Sequence, residues 1–584
     1  MQLVDFTTLT AACAELRATW LPSRLEQVYQ RDRYTVQLGL RTLNQRGWLT
    51  LCWHPQAARL CLADSPPRSP DTFTFSQQLR HQLSGLALVR MPAIAAWERV
   101  IDLQFARRPE EPALWHVYVE VMGKYSNVIL TNQDNLIVTA AHQVSQQQSR
   151  VRPIQTGQPY QPPPALLEAS PSLTEPLNPW QERVSLIPGS LQRQLLQSYR
   201  GLSSPLAKAL IEQAGLDTQQ STDGLSDRDW QSLFAVWQAW LKVLENEDFS
   251  PGWLTSGYTV LGWQAIKPAE SVQTLLNAYY SDQFNRQEFN QIRQQLSQKL
   301  QHLLAKLRQK RQDFCDRLVQ ADQADQFREQ ADLLMAHLQL WLPGMQKITL
   351  NDFNTGQPLV LSLDPEKNAI QNAQSFYKRH QKLKRTRVNL EPFLVEVESE
   401  IAYLEQVEAA VQQCECYHSP IDFLNLTEIR DELIQQGYFP APEHHSADPK
   451  AAESKPQFLR YATPSGLELW IGRNNRQNDQ LTFRLAGDYD LWFHAQEIAG
   501  SHVLLRSPAG SQPEPADLQF AADFAAYYSR SRQSAQVPVV YTRPQHVYKP
   551  KGAKPGIAIY KHEQVIWGRP QVAQAVLDSD FKDR

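Results

Sequence analysis

Two stretches of heptad-spaced apolar residues constrain this chain more than any other feature. Residues 284–320 carry Phe289, Ile292, Leu296, Leu300, Leu303, Leu307, Phe314 and Leu318. Residues 383–411 answer with Leu383, Leu390, Leu394, Val397, Ile401, Leu404 and Val411. That spacing lays an apolar seam along one side of a long helix, and a seam must be covered. Two such helices separated by an insert predict an antiparallel coiled-coil arm. At ~1.5 Å per residue, about 35 residues reach on the order of 50 Å. The insert, about 325–382, holds apolar runs at 347–350 and 359–363 around Asn354-Thr355-Gly356, which predicts a small hairpin. The densest basic run follows at 377–387, with Lys378, Arg379, Lys382, Lys384 and Arg385. A basic run usually marks a solvated helix face; on a projecting arm it also suits RNA.

A chain of 584 residues exceeds a single core, so several domains are expected. Residues 1–180 mix helical and strand patterns and read as an α+β domain that 250–283 rejoins. Residues 181–249 read as helical, with Gly201 ending one helix and Ser203-Ser204-Pro205 starting the next. Such a hairpin can aim backbone N–H groups at phosphates or simply pack. The arm occupies 284–420, a linker 421–456 and a last α+β domain 457–584. Net charge is only −3, so a nucleic-acid binder must concentrate its cations locally. The six cysteines show no framework, which fits a reducing compartment. Cys414, Cys416 and His418 lack a second ligand pair, so no metal is expected, and no cofactor. Without a basic-then-apolar start or an apolar run near ~18 residues, neither export nor a membrane span is expected.

Catalytic signatures are sparse. There is no Gly-x-x-x-x-Gly-Lys-Ser/Thr loop, no Gly-x-Ser-x-Gly elbow and no His-Glu-x-x-His helix. The chain therefore reads as a binding protein, not an enzyme. The segment 487–506 concentrates Asp490, Trp492, His494, His502 and Arg506 in a strand–turn–strand pattern. Even spacing puts Asp490, Trp492 and His494 on one strand face. If exposed, they suit phosphate and ribose contacts. Downstream, Lys549, Lys551 and Lys554 lie among Pro550, Gly552, Pro555 and Gly556, which keep that loop from forming a helix. Basic, amide and aromatic groups mixed in this way suit an RNA surface.

The blocks 471–479, 487–506 and 549–556, in this order, resemble the RNA-binding domain of the NFACT family. Further similarity runs through 79–86, Tyr199-Arg200-Gly201-Leu202-Ser203, 351–356, Leu363-Asp364-Pro365 and Asn372-Ala373-Gln374. Glu98-Arg99-Val100-Ile101 is similar to the family's Asp-Arg-Ile-Ile segment, with glutamate where aspartate is usual. The block 120–127 is similar to its Glu-Ile-Met-Gly-Arg/Lys-His-Ser-Asn motif. The resemblance implies tRNA contact by Glu98, Arg99, Glu120, Val121, Met122, Gly123 and Lys124. It implies a first domain related to formamidopyrimidine-type glycosylases and a helix-hairpin-helix domain after it. The glycosylase proline–glutamate start is absent, since this chain begins Met1-Gln2-Leu3. The function implied is ribosome-associated quality control in the cytoplasm. Such a factor binds large ribosomal subunits still holding peptidyl-tRNA, recruits tRNA (alanyl-tRNA in bacteria) and promotes untemplated tailing of the stalled chain. The stalled nascent-chain complex and a small RNA-binding accessory protein would be partners, and a membrane would not. A fibronectin-binding surface adhesin, the family's older label, is the alternative; a nucleic-acid repair enzyme is a more distant one.

Overall fold

The computed structural model describes residues 1–66, 70–164, 169–440 and 457–582. Among the described residues, Met1–Phe284 forms one compact unit and the chain from Asn285 onward the other. In the first unit, Asp5 caps α1 (Phe6–Trp20), its Oδ1 accepting from Thr8 N at 2.8 Å. Strands β1 (Ser23–Asp32), β2 (Thr35–Arg41), β3 (Arg46–Cys52) and β4 (Arg59–Ala63) precede α2 (Thr74–Leu83). Then come β5 (Ala87–Arg90), β6 (Val100–Ala106), β7 (Trp115–Glu120), β8 (Asn127–Asn132) and β9 (Ile137–Ala140). All nine form one sheet in the order β4-β3-β2-β1-β5-β6-β7-β8-β9. Alternating apolar residues such as Leu49, Leu51, Leu103 and Phe105 meet Leu9 and Leu16 of α1 in its core.

A second core in the same unit belongs to helices α3 (Leu177–Ser185), α4 (Leu191–Ser198), α5 (Ser204–Gln213) and α6 (Asp227–Asn246). Trp180, Leu195, Leu210 and Trp237 fill it. Gly201 turns the chain between α4 and α5 at φ +81°, and Ser203 caps α5. Strands β10 (Gly252–Leu254), β11 (Gly257–Thr259) and β12 (Lys267–Pro268) lead into α7 (Val272–Asp322). Tyr258, Val260, Leu275, Leu276 and Tyr280 return to the core under the large sheet.

The 51 residues of α7 extend about 76 Å at ~1.5 Å per residue. After α8 (Ala324–Ala336) come strands β13 (Lys347–Asn351) and β14 (Pro358–Ser362), paired antiparallel, then α9 (Ala369–Gln413). Phe289, Ile292, Leu296, Leu300 and Leu304 of α7 pack with Val397, Ile401, Leu404 and Val407 of α9. Leu304 is the fully buried position, whereas Leu303 and Leu307 lie at its margin. The first part of the expected 421–456 linker is instead a helix, α10 (Pro420–Gln435). Ser419 and Asp422 form its capping box, and Leu426, Ile429 and Leu433 join the α7–α9 core. Residues 441–456 lie outside the described residues.

The chain then forms β15 (Leu459–Ala462), β16 (Glu468–Ile471), α11 (Asn475–Gln480), a π turn at Leu481–Leu485, β17 (Leu491–Ala495) and β18 (Val503–Leu505). Next come α12 (Pro515–Tyr527), β19 (Val537–Thr542), the short pair β20 (Val547–Tyr548) and β21 (Ile559–Tyr560), β22 (Gln564–Gly568) and α13 (Pro570–Lys582). The six-stranded sheet runs β15-β16-β18-β17-β19-β22. One face packs on Ala521, Phe524 and Ala525 of α12. On the other, Trp492, Leu504 and Val540 meet Leu481 and Val547.

Candidate nucleic-acid interface

In the first unit, a left-handed residue fixes the Glu98–Arg99 segment. Trp97 stands at φ 64°, and its ring lies 4.7 Å from Phe6 and 5.6 Å from Trp240. Gly201 comes so near that a Cβ there would sit 2.6 Å from the Trp97 ring. Glu98 consequently pairs with Arg200 of the hairpin loop, at 3.6 Å. Asp5 accepts from Ser203 Oγ of the same loop at 2.6 Å. Arg99 is half-buried; burial pulls its pKa down, and the charges of Asp5 and Glu98 oppose that. Glu98 thus ties the sheet to the helical hairpin, and Arg99 keeps the partly exposed guanidinium.

Glu120 is not a surface group. It is buried, accepting from Tyr160 OH at 3.0 Å and from both terminal nitrogens of Arg152, one at 3.0 Å. Tyr160 in turn stacks on Tyr118 at 3.8 Å. Val121 is buried and Met122 half-buried, its N–H donating to Ser126 Oγ at 2.8 Å. Gly123 takes φ +58° at the turn. That turn pushes out Lys124 and Tyr125, with Nζ 4.8 Å from the ring and Tyr125 72% exposed. An exposed tyrosine beside a lysine is the stacking group that the sequence reading left out. Its place two residues past Gly123, beside a lysine in a glycine-centred turn, is the available signal.

The C-terminal residues depart furthest from expectation. Trp492 and His494 do share one face of β17, with Asp490 just ahead of the strand, but that face is roofed by the π turn and Val547. Together with His502 they are buried. Trp492 Nε1 donates to Thr482 Oγ1 at 3.1 Å, and that hydroxyl meets His502 Nδ1 at 2.7 Å. Burial drives the His494 pKa down to about 4 and that of His502 well below its usual value. These groups fix the sheet and are not exposed RNA donors. Arg506 pairs with Asp490 at 3.3 Å and donates to Leu485 O at 3.0 Å. In the basic loop, Lys549 is paired with Asp479, and Lys554 donates to Tyr438 OH. Lys554 Nζ also lies 4.7 Å from the rings of Tyr403 and Tyr438, and burial lowers its pKa. Lys551 alone of the three is exposed without an ion pair among the described residues.

The arm's run is different. Lys378, Arg379, Lys382, Lys384 and Arg385 are all exposed on α9. Arg379 lies over the Phe327 ring at 4.3 Å; the other four make no ion pair among the described residues. Neighbouring Arg387 is spent on Asp322 and Glu391, at 3.0 and 2.8 Å. Cys414 is buried at the base of the arm, its Sγ accepting from Asn425 at 3.0 Å.

Residues 5–452 match the family model for the NFACT N-terminal and middle domains. The chain belongs to the NFACT family. Residues 457–560 match the NFACT protein RNA binding domain, which spans the buried histidines and the lysine loop. The Rqc2 homolog RqcH of Bacillus subtilis is 28% identical over 574 residues, 95% of this chain and 96% of that one. The Rqc2 homolog RqcH of Streptococcus suis is 29% identical over 570 residues, 95% of each chain. Among solved structures, the C-terminal part of the fibronectin/fibrinogen-binding protein from Streptococcus suis is 28% identical, with a TM-score of 0.37. It covers 48% of this chain and 95% of that one. Its N-terminal part is 24% identical with a TM-score of 0.39, over 48% of this chain and 99% of that one. Among the described residues, no helix is long and apolar enough to cross a membrane.

Proposed function

We propose that this NFACT protein is a ribosome-associated quality-control factor. It binds large ribosomal subunits that retain peptidyl-tRNA, recruits tRNA, alanyl-tRNA among them, and promotes untemplated tailing of the stalled chain. Peptide-bond chemistry would remain with the ribosome. The observation that carries this reading is the similarity to Rqc2 homolog RqcH proteins along 95% of the chain. The exposed cations Lys378, Lys382, Lys384 and Arg385 give the arm a phosphate-binding stripe suited to ribosomal RNA. Arg99 with Lys124 and Tyr125 supply a fork, a point charge and a stacking ring suited to tRNA.

Gradient sedimentation of cell extracts tests it. The protein is expected with large subunits and tRNA. Replacing Lys378, Lys382, Lys384 and Arg385 by alanine should move release to lower salt and reduce the salt slope by roughly three to four units. Arg99→Ala with Lys124→Ala should remove tRNA while subunit binding persists. A wild-type protein that stays at the top of the gradient and fractionates with the cell surface would overturn the reading in favour of an adhesin.

A further inference from the structure

We propose that the open end of the C-terminal sheet, centred on Trp470, is a stacking platform for unpaired RNA bases. The inference deepens the RNA-binding part of the proposed function and rests on it. Strand register places Arg460, Trp470, Leu504 and Trp492 side by side on one face of β15, β16, β18 and β17. The Trp492 end is roofed. At the edge-strand end, Phe458, Arg460 and Trp470 are only partly covered.

Those groups are arranged as a layered surface. The Phe458 and Trp470 rings are nearly parallel, at 11° and 6.0 Å. Two guanidinium groups lie against the indole, Arg460 at 4.5 Å and Arg506 at 4.6 Å. Glu468 accepts from Trp470 Nε1 at 3.0 Å and fixes the indole in its plane. Arg506 is held from behind by Asp490 and by Leu485 O. Arg460 has no ion pair among the described residues, and neither has the exposed Arg484 beside Leu485. Tyr489, adjacent to Asp490, is 58% exposed. Of the acids here, Glu468 and Asp490 are engaged, and Asp488 is exposed.

Planar guanidinium and aromatic groups are what unpaired bases stack on, and free arginines beside them suit the connecting phosphates. Several of the domain's other cations are committed elsewhere, although Arg543, Lys551 and Lys561 are exposed without an ion pair among the described residues. Arg473 is paired with Asp422, Arg530 with Glu405 and Arg532 with Glu415. Lys549 and Lys554 are engaged as described above. What sets the Trp470 end apart is that its free arginines lie against partly exposed aromatic rings.

The test uses the full chain, a short fluorescein-labelled single-stranded RNA and a duplex of equal length, followed by anisotropy. Trp470→Ala and Arg460→Ser should each weaken single-strand binding about tenfold and duplex binding less than about twofold. Trp470→Phe should recover most of the loss. Arg460→Ser sits on an exposed edge strand, so it leaves the core intact if Trp470→Ala does not fold. If the wild type binds single strands and both variants do so equally well, the platform assignment falls, and the surface belongs to a protein partner. Equal losses for duplex would also overturn it, because stacking would not be the contact. A wild type that binds neither RNA would overturn the RNA reading itself.

Discussion

His494 and His502 occupy strand positions that the sequence presents as half open, yet both imidazoles are inside the protein. His494 Nε2 has no hydrogen-bond partner among the described residues. Burial favours the neutral ring, so its pKa falls from 6.5 to about 4. For His502 the fall also comes first from burial, then from His494 beside it. Once unfolded, both rings titrate at their ordinary value. Between about 6.5 and 4 the unfolded chain therefore holds protons that the native chain refuses. Stability is intact above that window and falls as pH drops through it, by on the order of 3 kcal/mol for His494. Urea melts of the C-terminal domain's signal from pH 7.5 to 4.5 should show the decline, and His494→Gln should flatten it. A wild-type midpoint indifferent to pH would place the imidazole in water. Strand alternation places Trp492 and His494 on one face, as observed, while Asp490 precedes the strand. Period alone cannot reveal which distant segment covers a face. Glu120 was misread for the same reason, because Arg152 and Tyr160 reach it from more than thirty residues away.

Helix signals in this sequence differ in how plainly they show. The α7 and α9 seams were visible because long periodic patterns dominate local noise. The helix α10 carried equally good marks: Ser419, Pro420 and Asp422 at its start, then Leu426, Ile429 and Leu433 on one side. Its short length and polar flanks gave it the look of linker. Because its apolar side completes the α7–α9 core, Ile429→Ala and Leu433→Ala should each cost about 2–5 kcal/mol. Leu383→Ala, on a half-buried position further out, should cost less than about 1 kcal/mol. Denaturant melts read by far-ultraviolet circular dichroism check the contrast. Similar losses at all three sites would mean that the outer part of α9 is packed as tightly as the core that α10 completes.

On the scale of the whole molecule, a net charge of −3 conceals a directed pairing of charges. Within the second unit, acids of α9 and α10 face cations of the C-terminal domain. Glu405 receives Arg308 and Arg530, at 2.6 and 3.1 Å. Asp422 receives Arg473 at 2.5 Å, and Glu428 accepts from Asn474 and Gln477 at 2.6 and 2.9 Å. Domain order could be read from the motif blocks, but pairing between residues 46 to 125 positions apart leaves no local mark. These pairs differ in burial, and burial decides what each contributes. Arg473 and Asp422 are only 12% and 16% exposed, and Asp422 also accepts from the Ser419 N–H that starts α10. Removing Arg473 strands a desolvated carboxylate, so Arg473→Ala should cost about 3 kcal/mol and raise hydrogen exchange across α10 and α11. Arg530 is 41% exposed, and Arg530→Ala should cost less than about 1 kcal/mol. Salt separates the two cases further. Near 1 M, where screening acts within ~3 Å, the Arg530 effect should vanish while the Arg473 effect persists. If salt abolished both effects, the whole junction would be a solvated ionic contact. Exchange that stayed protected in Arg473→Ala would instead show that the apolar core around Ile429 holds this junction without help from charge.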